Sequence, residues 1–80
     1  MEDKIKEAAV EIANKISALP QGSEFKFGDY FKEYNFEDRE KFELMEKTVD
    51  LCESMKISIS NTQEDMTLGM PWVFTYKKMN

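Results

Sequence analysis

Ser17-Ala-Leu-Pro-Gln-Gly-Ser-Glu-Phe-Lys-Phe-Gly-Asp-Tyr-Phe31 (SALPQGSEFKFGDYF) joins two stretches of helical periodicity, and its residues specify a folded corner rather than a linker. Pro20 lacks an amide hydrogen and restricts Leu19, so the preceding helix stops there. Pro-Gln-Gly-Ser (20–23) reads as a turn, with Gly22 free to take a positive φ. Glu24-Phe25-Lys26-Phe27 alternates polar and apolar, which predicts a short strand with both phenylalanines on one face. Gly28-Asp29 breaks that strand, and Asp29 is a suitable N-cap for a short helix over Tyr30–Tyr34. Asn35 then serves as a C-terminal cap.

Upstream, Ile5, Ala9, Ile12, Ile16 and Leu19 recur at helical spacing, which predicts a helix over Asp3–Leu19 with one apolar stripe. Ala8 and Ala13 widen the stripe with small side chains, and Glu11 and Lys15 form a favourable pair on the other side. Downstream, Phe42, Met45, Val49 and Cys52 repeat at the same spacing, with Leu44, Leu51 and Met55 as a second stripe bridged by Thr48. The spacing predicts a long helix over Glu37–Met55 with a broad apolar face. Glu37 and Asp38 suit its start, and Lys56 suits its end. Ile57–Ser60 and Trp72–Tyr76 alternate as strands around the polar turn 61–65, a hairpin pattern. Pro71 belongs at a strand entrance, and Lys77 and Lys78 lead into a frayed end.

The element order is thus α-β-α-α-β-β in one domain, 1–80. This is an α+β, winged-helix-like arrangement of three helices with a small three-stranded antiparallel sheet. The first strand is expected to pair with the hairpin, since three strands on a helical face are stable where a lone hairpin is not. Leu19, Pro20, Gly22, Phe25, Phe27, Asp29 and Phe31 also match the L-P-x-G-x-x-F-x-h-x-D-L-F segment of a small, uncharacterised bacterial family of winged-helix-like domains. The chain resembles that family over residues 19–31, with Tyr30 in place of its leucine, and elsewhere in element order. The resemblance implies a fold; the family carries no assigned reaction.

Composition narrows the chemistry. Eighty residues with 41 % apolar and 34 % charged side chains suit one small globular domain. No apolar run is long enough for a bilayer, and Met1-Glu2-Asp3 does not open a signal peptide. One cysteine, Cys52, forms no internal disulfide, so a cytoplasmic protein is expected, and the resemblance implies a bacterial or phage origin. There is no histidine, which removes histidine-based acid–base and nucleophile chemistry and most zinc and copper sites. Three glycines form neither a phosphate loop nor a dinucleotide fingerprint. The expectation is a protein with no enzyme activity, no cofactor and no metal. Cys52, on an apolar face with no histidine, reads as a core residue.

Three functional readings follow. A winged helix commonly binds DNA by placing its third helix in the major groove. Here Phe36–Met55 carries Arg39, Lys41 and Lys47 against Glu37, Asp38, Glu40, Glu43, Glu46, Asp50 and Glu53. Residues 61–72, the wing, hold Glu64 and Asp65 with no lysine or arginine, which disfavours phosphate contact. The leading expectation is instead a protein-binding or self-associating regulatory module, with Met66, Leu68, Met70 and Trp72 on the wing as the contact residues. Trp72 is better suited to covering the open edge of a small core, which leaves Met66 and Met70 as the stronger contact residues. A third reading is an acidic, phage-type inhibitor or nucleic-acid mimic. There Glu40, Glu43, Asp50 and Glu53 would present carboxylates in place of phosphates, although a solvated helix surface has the same composition.

Overall fold

The computed structural model of the protein describes residues 2–62 and 70–80. Helix α1 (Glu2–Ser17) turns Ile5, Ala8, Ala9, Ile12, Ala13 and Ile16 inward, and its main partner is α3 (Asp38–Ser54). The alanines on this face hold no side chain that would keep the two backbones apart. Leu44, Met45, Thr48 and Cys52 are buried on the α3 side. Thr48 satisfies its hydroxyl by donating to the Leu44 carbonyl at 2.7 Å, as a threonine inside a helix can.

Strands β1 (Glu24–Lys26), β2 (Ile59–Asn61) and β3 (Thr75–Lys78) form one antiparallel sheet in the order β1-β3-β2. Phe25 faces Tyr76 across the β1–β3 ladder, and Ser60 faces Lys77 across β2–β3. Among the described residues the order is therefore α-β-α-α-β-β, an α+β fold in which the first strand joins the C-terminal hairpin.

The corner at 17–31 departs from the sequence reading in one respect. The strand ends at Lys26, and Phe27 already opens helix α2 (Phe27–Phe31). Asp29 is consequently inside the helix, not its N-cap, and Lys26 precedes it without a side-chain cap bond. Asn35 is no cap either, because α2 closes at Lys32. Gly28 explains the early start. A Cβ there would lie 2.9 Å from the Trp72 carbonyl oxygen, closer than a side chain tolerates, so only glycine lets α2 settle on this backbone. Gly22 takes φ +88°, and Ser23 N–H donates to the Pro20 carbonyl at 3.1 Å, a turn that favours glycine at its third position.

The second half shows similar shifts. Trp72 and Phe74 are buried, but Pro71–Val73 is a single 3₁₀ turn and β3 begins only at Thr75. Strand β2 starts two residues later than Ile57, because Ile57 closes α3. Its N–H donates to the Cys52 carbonyl at 2.8 Å, and Lys56 N–H donates to Glu53 at 3.0 Å. This is a Schellman closure with Lys56 at φ +61° in the left-handed position that usually holds glycine. Lys56→Gly is therefore expected to stabilise the fold by about 1 kcal/mol, a rise in melting temperature of roughly 4–8 °C. Lys56→Ala, with the same Cβ, should leave it near wild type. Equal melting temperatures for the glycine and alanine variants would contradict this account.

The last residues are anchored rather than frayed. Lys78 is only 7 % exposed, and its ammonium donates to the Ser17 and Leu19 carbonyls at 2.8 and 2.6 Å. Met79 N–H donates to Ser58, and the Asn80 side chain bridges Ser58 N–H and the Lys56 carbonyl. At the start of α3, Glu37 and Glu40 form a capping box, the reciprocal bonding that fixes a helix N-terminus.

Candidate functional site

The wing residues singled out from the sequence divide into three groups. Met66 and Leu68 lie outside the described residues. Trp72 belongs to the core, 5 % exposed, where it packs against Phe31 with ring centroids 6.2 Å apart. Met70 is 38 % exposed, and its carbonyl accepts from Val73 N–H at 3.0 Å to close the turn that carries Trp72.

Two residues join Met70 around this tryptophan. Phe42 meets the Trp72 ring edge-on, with centroids 4.8 Å apart and an interplanar angle of 76°, yet it stays 46 % exposed. Val73 is 47 % exposed. The Phe42 placement corrects the sequence expectation, in which it belonged to the buried stripe of α3. Phe42 sits at the border of that face, and the 3₁₀ turn covers one edge of its ring and leaves the rest in water. Lys41 lies 5.9 Å from the Trp72 ring centroid and within 3.9 Å of Asp38. Three exposed apolar side chains, Phe42 against the Trp72 ring and Met70 and Val73 on the turn that carries it, thus flank this buried tryptophan, with Lys41 beside its ring. Phe42 and Val73 were missed because helical and strand periodicity report which residues are apolar, not which of them find cover.

The acidic residues are also rearranged. Glu43, Asp50 and Glu53 are exposed on α3, whereas Glu40 is half-buried and committed to the capping box, its Oε1 accepting from Glu37 N–H at 3.0 Å. Glu46 takes its place in the line. Glu43, Glu46, Asp50 and Glu53 follow each other at helical spacing, one carboxylate per turn. Among the described residues the ion pairs are Lys15–Glu33, Lys32–Asp29 and Lys41–Asp38, so this stripe is not neutralised by any of them.

Between α1 and the segment after α2, two polar contacts form. Glu11 does not pair with Lys15; it accepts a hydrogen bond from the Tyr34 hydroxyl, and Lys15 binds Glu33 at 2.6 Å. Burial, reinforced by the Glu11 carboxylate, pushes the Tyr34 phenol up to about 12, so it is a proton donor to Glu11 at neutral pH. Cys52 is buried, and burial pushes its thiol up, which lowers its thiolate fraction. Among the described residues no group of three or more cysteine, aspartate or glutamate side chains could hold a metal ion, and no helix is long and apolar enough to cross a membrane. No family model, curated protein or solved structure matches the chain.

Proposed function

We propose that the protein is a non-enzymatic, winged-helix-like interaction module whose partner is a protein. The observation that carries this reading is the exposure of Phe42, Met70 and Val73 around the buried Trp72. Aromatic and methionine side chains around a rigid anchor are the usual composition of an interface centre. The sheet order β1-β3-β2, and the place of α3 as the third helix before the hairpin, support the winged-helix comparison. The same α3 carries the acidic stripe, and that disfavours the DNA-reading role such a helix commonly has. Fold analogy alone does not supply a function.

The stripe of Glu43, Glu46, Asp50 and Glu53 favours a second reading, an acidic mimic that binds a basic groove through α3. The two readings place the partner on different surfaces. A photo-crosslinking residue at position 42 or 73, introduced in the cell that makes the protein, should give discrete protein adducts. The same residue at Glu43 or Asp50 should give none of these adducts, and at exposed Lys26 it serves as the control. Adducts from positions 43 and 50 but not from 42 and 73 would transfer the function to the acidic stripe. Identical adducts from Lys26 would remove both assignments.

A further inference from the structure

The sheet has two outer edges, and they differ in chemistry. Strand β1 carries Glu24 and Lys26 on either side of Phe25, the charged edge that discourages added strands. From Ile57 to Thr62 the sequence is Ile-Ser-Ile-Ser-Asn-Thr, without a charge or a proline. The hydrogen bonds fix which groups of this edge face outward. Ser58 accepts from Met79 N–H at 2.8 Å, Thr62 N–H donates to Thr75 at 3.0 Å, and Ser60 is the β3-facing residue between them. Ile59, which alternates with these, directs its N–H and C=O away from β3.

Beside that edge runs a groove of about 470 Å³, lined by Val49, Cys52, Glu53, Lys56, Ile57, Ser58 and Ile59. One wall is thus the last two turns of α3 and the other is the start of β2 at Ile59. Val49, Cys52, Ile57 and Ile59 supply its apolar part, beside the polar Glu53, Lys56 and Ser58. On the helix wall Glu53 lines the groove beside Lys56, and Asp50 and Glu46 continue the exposed carboxylate stripe beyond it. We infer that β2 and this wall accept an extended segment of a partner protein as a fourth strand. That segment alternates apolar side chains, which enter the groove, with lysine or arginine, which meets the α3 carboxylates. Main-chain bonds to Ile59 supply the pairing, and the charge on α3 selects a basic sequence. This surface is separate from Phe42, Met70 and Val73.

An acetylated, amidated peptide alternating lysine and valine over about six residues is a direct probe, followed by amide shifts of the isotopically labelled protein. Saturable shifts at Ile59 and at Val49, Cys52 and Lys56 are expected. The glutamate–valine counterpart, and a version N-methylated at alternate amides, should bind at least about tenfold more weakly. An Asp50→Lys/Glu53→Lys variant, altered only at exposed positions, should reverse the charge preference. Phe42→Ser should leave peptide binding unchanged, so failure of the apolar-surface reading and failure of this one are separable. No shift at Ile59 with millimolar peptide overturns the inference, as does equal binding of the glutamate peptide. Concentration-dependent shifts of the same amides without peptide overturn it too, in favour of a second copy at the edge.

Discussion

Replacing Phe27 by alanine is expected to remove about 3–5 kcal/mol of stability, much of what an 80-residue domain possesses. Phe27 is fully buried and sits where strand becomes helix. Its ring meets Phe25 edge-on at 5.3 Å and Tyr76 at 5.1 Å, and lies 6.2 Å from Phe31. One side chain therefore joins β1, β3 and α2. Truncation leaves a cavity among rings that cannot collapse, since Phe25 and Tyr76 are tied by the β-ladder. It also removes edge-to-face contacts worth roughly 0.5–1.5 kcal/mol beyond area. Urea unfolding followed by the fluorescence of Trp72, the single tryptophan, should show the midpoint falling by about 2 M, or no native baseline at all. A shift under about 0.5 M would contradict this assignment of the core centre.

Lys78→Met is expected to cost about 2–4 kcal/mol, whereas Lys77→Met should change stability by no more than about 0.5 kcal/mol. The two lysines are neighbours in sequence and opposite in environment. Lys77 is exposed. Lys78 sends its ammonium under the end of α1, donating to the carbonyl of Ser17, which that helix end leaves without an intrahelical partner, and to that of Leu19 just beyond it. Its backbone also exchanges bonds with Gly22 and Ser23 at 2.7 and 2.8 Å. Methionine preserves the stem and removes both ammonium bonds, so the loss is that of two charge-assisted hydrogen bonds and two stranded acceptors. Thermal unfolding should show a drop of roughly 10–20 °C for Lys78→Met and almost none for Lys77→Met. Equal, small effects would mean that the ammonium does not cap α1.

These two residues show what the sequence discloses about this fold. Phe27 was legible as buried, because apolar alternation in a short segment between turn signals reports burial whatever the backbone does next. That it begins a helix was not legible. The reason is Gly28 against the Trp72 carbonyl, a contact between segments more than forty residues apart. The sequence points to a frayed end at Lys78 because a lysine is normally a surface residue, and its partners lie about sixty positions away. The long helices were legible almost to the residue, since periodicity and the glutamate pair of the capping box are local. At the candidate site, local patterning singles out Met70 and the acidic positions 43, 50 and 53, all of which are exposed. It misplaced Phe42, whose exposure depends on how far the 3₁₀ turn covers it, and it overvalued Glu40, which bonds to its own helix start.

On the proposed function, α3 and its surroundings meet a protein rather than nucleic acid. A fluorescence-anisotropy titration of labelled random and genomic duplexes, at about 50 mM salt where phosphate contacts are strongest, tests it most directly. The stripe of Glu43, Glu46, Asp50 and Glu53 predicts no binding into the tens of micromolar range. Micromolar binding that falls steeply as salt is raised to about 200 mM would contradict the account and return α3 to the DNA-reading role of a winged helix.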